Sequence, residues 1–124
     1  MQAQLHHTSF PVADLERSRK FYATVLGLVE ISRPDIFGLA GAWFQSGRCE
    51  VHLIQVPVGS DVGTPPGAIN PAARHAAFAV PDYVEALAHL ASNGLEVIGT
   101  SEAIGQMWTR DPDGHIIELI APRA

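Results

Sequence analysis

The chain has 124 residues, 47% of them hydrophobic, a formal net charge of −5 and no run of Lys or Arg. Such a composition suits one compact domain, or two small modules sharing a core, and excludes a disordered chain. It also disfavours nucleic acid as a partner, because a phosphate-binding groove needs a basic stripe.

No apolar stretch approaches the roughly 20 residues of a membrane-spanning helix. The opening MQAQLHH has neither the basic nor the apolar region of a secretion signal. The single cysteine, Cys49, has no intrachain partner, so a reducing cytoplasm is the expected location.

Along the chain, LHHTSFPV (5–12) alternates Phe10 and Val12 with Ser9 and Pro11, the period of a strand. Asp14 stands in N-cap position before LERSRKFYATVLG (15–27), whose apolar residues recur at helical spacing and which stops at Gly27. LVEIS (28–32), a loop at Arg33-Pro34 and a short apolar stretch near IFGLAG follow. AWFQSG (42–47) closes at a turn, and CEVHLIQV (49–56) is a β-branched run.

The pattern then starts again. HAAFAV (75–80) reads as a strand, and Asp82 caps a helix with Glu85 placed for a capping box. EALAHLASNG (85–94) is helical and ends at Asn93-Gly94. LEVIGT, AIGQMWTR and HIIELIA give three more strands, the last two joined by the turn sequence DPDG (111–114). The order is β-α-β-β-β, twice. Across 7–15 and 75–83, four of nine positions are identical, namely His, Phe, Val and Asp. Trp43 answers Trp108, and His52-Leu53-Ile54 answers Glu118-Leu119-Ile120. The expected organisation is a first module over 1–56, a Gly/Pro-rich linker over 57–74, and a second module over 75–124.

Strand alternation assigns the polar residues to faces. His7 and Ser9 oppose Phe10 and Val12; His75, Ala77 and Ala79 oppose Phe78 and Val80. His52 and Glu118 hold equivalent positions in the last strand of each copy. With the large apolar residues on the helices, two copies about a pseudo-twofold axis would turn His7, His52, His75 and Glu118 toward one cavity. Three imidazoles and a carboxylate suit a divalent transition metal. Cys49 falls on the other face with Val51 and Leu53, as a small buried hydrophobe. His6 reads as pointing to the helix side of its strand or as displaced by the terminus, His89 as solvated and His115 as an exposed turn residue. Arg33, Arg48, Arg74 and Arg110 read as surface charges, and Tyr22 as core.

HHTSFPVADLERSRKFYATVLGL, WFQSGRCEVHLI, HAAFAVPD and RDPDGHIIELIAP resemble the vicinal oxygen chelate superfamily, over essentially the whole chain. That group includes glyoxalases, extradiol dioxygenases, fosfomycin-resistance thiol transferases and bleomycin-resistance proteins. The resemblance implies an α+β fold of two tandem βαβββ modules forming a cup-shaped mixed sheet, with helices on its outer face. It points to His7, His52, His75 and Glu118 as metal positions, the four that the repeat selects independently. It also implies a homodimer. His52 departs from glyoxalase I, which has a carboxylate there, and His115 follows DPDG where Asn is commoner.

The expected cofactor is a divalent ion (Zn, Ni, Co, Mn or Fe(II)) that chelates two adjacent oxygens of a small substrate, with Glu118 as the catalytic proton carrier. The leading expectation is a glyoxalase-like lyase or isomerase. The rivals are an Fe(II) extradiol-type dioxygenase with His52 outside the ligand set, a thiol transferase, and a metal-free drug-sequestering protein.

Overall fold

The computed structural model describes residues 1–35 and 38–123. It comprises two compact units, Met1–Gly63 and Thr64–Ala124. The first holds β1 (His7–Val12), α1 (Leu15–Lys20), β2 (Val29–Ile31), β3 (Gly41–Ser46) and β4 (Cys49–Gln55). The second holds β5 (His75–Ala79), α2 (Tyr83–Ser92), β6 (Ile98–Gly99), β7 (Gln106–Arg110) and β8 (Ile116–Ile120).

Each unit builds a four-stranded mixed sheet of the same topology, β1-β4-β3-β2 and β5-β8-β7-β6. The first strand lies parallel to the last, and the other neighbours are antiparallel. The repeat extends to register. Ser9 pairs with His52 as Ala77 pairs with Glu118, and Trp43 faces His52 as Trp108 faces Glu118.

Both helices start where the sequence says they should. The Asp14 carboxylate accepts the Arg17 N–H at 3.1 Å, and Asp82 accepts the Glu85 N–H at 2.8 Å, so each covers an orphan donor of a first turn. The return bond of the expected capping box, from the Glu85 side chain, is not formed among the described residues. The expected single helix over 15–27 instead divides. After α1 the chain widens into a π-helical turn, Phe21–Val25, with the Leu26 N–H donating to the Phe21 carbonyl at 3.2 Å. The adjacent Phe21 and Tyr22 are both buried there. Gly27 and Gly94 then take positive φ, 69° and 73°, which only glycine adopts at little cost.

The strand expected over 103–110 begins only at Gln106, because 101–105 forms a turn closed by the Gly105 N–H on the Ser101 carbonyl at 2.7 Å. The strand expected over 95–100 is reduced to Ile98–Gly99. Residues 36 and 37 of the apolar stretch near IFGLAG lie outside the described residues. The Gly/Pro-rich segment is not uniform. Ile69 is buried with Trp108 and Ile116, and the Arg110 guanidinium donates to the Gly67 carbonyl at 2.8 Å. Its second half is therefore built onto the second unit.

The core of the first unit is aromatic. Tyr22 stacks on Phe10 at 5.7 Å and tilts against Phe44 at 6.3 Å, above Val51 and Leu53. That of the second is aliphatic, with Leu90, Met107, Ile117 and Leu119. Burying each such side chain is worth roughly 1.5–3 kcal/mol. Among the described residues no helix is long and apolar enough to cross a membrane.

Candidate metal half-sites

With Val51 and Leu53 in the core, alternation sends Glu50 and His52 to the other face of β4, beside His7 and Ser9 on β1 and Trp43 on β3. The His52 ring is held between two others. Trp43 stacks on one face at 4.1 Å between centroids and 5° between planes, and His7 on the other at 4.0 Å and 17°. The Nε2 of His52 lies 2.9 Å from Glu50 Oε1, and only 7% of the residue is exposed. Nδ1 of His7 faces Nδ1 of His6 at 3.0 Å, a distance that requires one proton between them.

The charges follow from these contacts. The His7 pKa is lowered, first by burial and then by neighbouring His52 and His6, with Glu50 opposing. The Glu50 carboxyl is held below the usual carboxylate range, chiefly by the hydrogen bond it accepts from His52.

In the second unit, His75 Nε2 lies 3.1 Å from Glu118 Oε1. Glu118 is buried at 6% exposure; the Trp108 indole N–H donates to Oε1 at 2.9 Å, and the Gln106 amide reaches Oε2 at 3.4 Å. The other His75 nitrogen, Nδ1, is 2.7 Å from the Ala73 carbonyl, which only accepts, so Nδ1 carries the proton. In the neutral form of that ring the Nε2 lone pair would point at a carboxylate oxygen. The contact is attractive only with a second proton or a cation, and a metal ion satisfies both donors at once. The donor types fit a borderline divalent ion.

The structure thus brings His7 together with His52, and His75 together with Glu118. Among the described residues no group of three or more His, Cys, Asp or Glu is arranged to hold an ion, so the expected ligands stand as two pairs, one per unit.

Glu50 is not among the residues that the repeat selects. Its signal was the Glu-x-His spacing of 50 and 52, which puts both on one face of a strand. Strand phase alone does not decide whether the paired tryptophans line the site or pack beneath it; Trp43 contacts His52 of β4 and Trp108 contacts Glu118 of β8. Cys49, expected buried, is half-buried at a strand end, with its thiol on the Leu5 carbonyl at 3.4 Å. His115, expected exposed, is half-buried, because its N–H is drawn onto the Asp111 carboxylate at 2.9 Å. His89 is exposed and Tyr22 is fully buried, as expected, while His6 does not reach the helix side but lies exposed just before β1.

Residues 4–119 match the model of the Glyoxalase/Bleomycin resistance protein/Dioxygenase superfamily. The chain is 30% identical to "Glyoxylase I 4" of Arabidopsis thaliana, over 93% of this chain and 68% of that protein. Its fold is similar to a glyoxalase/dioxygenase from Nostoc punctiforme, with a TM-score of 0.78 and 24% identity over 98% and 92% of the two chains. It is similar as well to TnmS3, an antibiotic binding protein from Streptomyces sp. CB03234, with a TM-score of 0.70 and 23% identity over 98% and 97%. The chain belongs to the Glyoxalase/Bleomycin resistance protein/Dioxygenase superfamily.

Proposed function

We propose that this chain is a divalent-metal-dependent enzyme, a glyoxalase-like lyase or isomerase acting on a small substrate with two adjacent oxygens. His7, His52, His75 and Glu118 are the proposed ligands of a Zn, Ni, Co, Mn or Fe(II) ion, one ion for each first-plus-second pair of units. The observation that carries this reading is the His75–Glu118 contact, in which an imidazole nitrogen and a buried carboxylate oxygen stand 3.1 Å apart while the other imidazole nitrogen is occupied by the Ala73 carbonyl.

A bound ion would supply Lewis acidity toward negative charge developing on the two substrate oxygens. Glu118 is the group to move a proton, because the imidazoles are committed as donors. Trp108 holds its Oε1, while the longer Gln106 contact leaves Oε2 the more available oxygen. With His52 as a fourth protein donor, a bound ion would have less room for O₂ beside two substrate oxygens, which favours non-oxidative chemistry over ring cleavage. The edge strands β2 and β6 expose Val29 and Ile98, which supports a homodimer.

Calorimetry with each metal tests the reading. The wild type should bind one ion per pair of units near neutral pH, more weakly below roughly pH 6 as protons compete for imidazole. His52→Ala should weaken binding at least tenfold, about 1.4 kcal/mol. No binding of any of these metals would overturn the proposal and leave a metal-free binding protein. Unchanged affinity in His52→Ala, with O₂ consumption on catechols by the Fe(II) protein, would make it a dioxygenase. Light scattering should report twice the 13.3 kDa of one chain.

A further inference from the structure

We propose that Glu50 is a positioning residue that holds His52 as its Nε2–H tautomer and leaves Nδ1 as the ring's free acceptor. This rests on the metal reading only for what Nδ1 would bind.

Stacking between Trp43 and His7 fixes the plane of the His52 ring. It does not fix the ring within that plane. A half-turn about the Cβ–Cγ bond exchanges nitrogen and carbon edges while keeping both stacks. What distinguishes the two orientations is the edge contact to Glu50 at 2.9 Å. An ionised carboxylate only accepts, so Nε2 must donate, and a neutral ring then carries no proton on Nδ1. No described residue hydrogen-bonds that Nδ1. Two faces and one edge together determine which atom the ring offers.

The second unit shows the same logic with the nitrogens exchanged. His75 donates from Nδ1 to the Ala73 carbonyl and offers Nε2. The register partner of His7 is Glu50, whereas that of His75 is the buried Ile116. Glu118 replaces His52 in that unit. It has no tautomer to fix, and Trp108 orients it instead. A carboxylate at the place of Ile116 would face a His75 ring that the Ala73 carbonyl already orients. The carboxylate thus appears in the unit where an imidazole needs an edge partner, and is missing from the unit where none is needed. Such outer-shell partners fix ring orientation and ligand basicity in metal centres.

The test uses the full chain, labelled with ¹⁵N and without metal, at neutral pH. Long-range ¹H–¹⁵N correlation should show His52 protonated at Nε2, with the signals assigned by their loss in His52→Gln. Glu50→Ala should convert them to a mixture of tautomers, whereas Glu50→Gln should restore the wild-type pattern, since the amide oxygen still accepts. Zinc titration should then show a loss of about tenfold or more in Glu50→Ala, and near wild-type affinity in Glu50→Gln. A role confined to stability would leave the tautomer unchanged in Glu50→Ala. That result, or His52 protonated at Nδ1 in the wild type, would overturn the proposal. If the wild type takes up no zinc, the metal reading fails by itself, and the ring spectra still decide the role of Glu50.

Discussion

The two units share strand order, register and the placement of a tryptophan beside the key residue, yet they hold that residue in different ways. In the first unit Trp43 presents its ring face to His52. In the second, Trp108 presents its indole N–H edge to Glu118. The difference follows from what is being held. An imidazole is flat and polarisable and accepts a stack, whereas a buried carboxylate needs donors. One sheet position with one tryptophan beside it therefore yields two clamps.

The helix-facing side differs in the same compensating manner. The registers make Ala42 and Phe44 equivalent to Met107 and Thr109. The first unit is small then large, the second large then small, and all four are buried. The largest expected effect tests that exchange. Phe44→Ala removes a fully buried ring from the Phe10–Tyr22 cluster and should cost about 4 kcal/mol in urea unfolding. Thr109→Ala removes far less volume and one hydroxyl bond to the Glu96 carbonyl at 2.8 Å, and should cost about 1.5 kcal/mol. Equal costs would mean that the two cores do not differ in the way their side chains suggest.

The tryptophans give an intermediate effect. Trp108→Phe keeps an aromatic ring but leaves the buried Glu118 short of its N–H donor, at a cost of about 2 kcal/mol. Trp43→Phe keeps a face for His52 to stack on and should cost under about 1 kcal/mol. A larger loss from Trp43→Phe than from Trp108→Phe would dissolve the distinction between a face clamp and an edge clamp.

Much of this was legible in the sequence. The period-two phases of 7–12 and 75–80 separated His7 and His75 from Phe10, Val12 and Phe78, and Asp14 and Asp82 marked both helix starts. The repeat also paired His52 with Glu118. What the repeat could not show is where its copies diverge. Glu50 does not stand out in the sequence, because its counterpart, Ile116, is apolar and the surrounding run reads simply as a strand. The π turn at Phe21–Val25 leaves no periodic signature, since apolar spacing cannot distinguish one extra residue in a helical bond. Ile69 looked like linker because Pro and Gly surround it, yet its own side chain is large enough to be buried with Trp108 and Ile116. The likeness of the copies was readable in one dimension; their division of labour needed contacts.

The smallest effect concerns acid, and it belongs to the first unit. His7 has its pKa lowered in the folded state, first by burial and then by the charges of His52 and His6. Between that lowered value and the ordinary one near 6.5, the unfolded chain binds more protons at this residue than the folded chain does. Stability must therefore fall as pH drops through that window. Glu50 acts in the same direction further down. Its folded pKa is depressed, so its contribution is present above the ordinary glutamate value and is lost as pH falls through the folded one. His7→Gln removes the upper part of this dependence and leaves the lower. In metal-free urea unfolding at a series of pH values, the variant should show a flatter profile just below 6.5 than the wild type. Both should decline alike where Glu50 protonates. If His7→Gln and the wild type lose stability in parallel from 6.5 downward, the proton balance of the first unit lies elsewhere than in the stacked imidazoles.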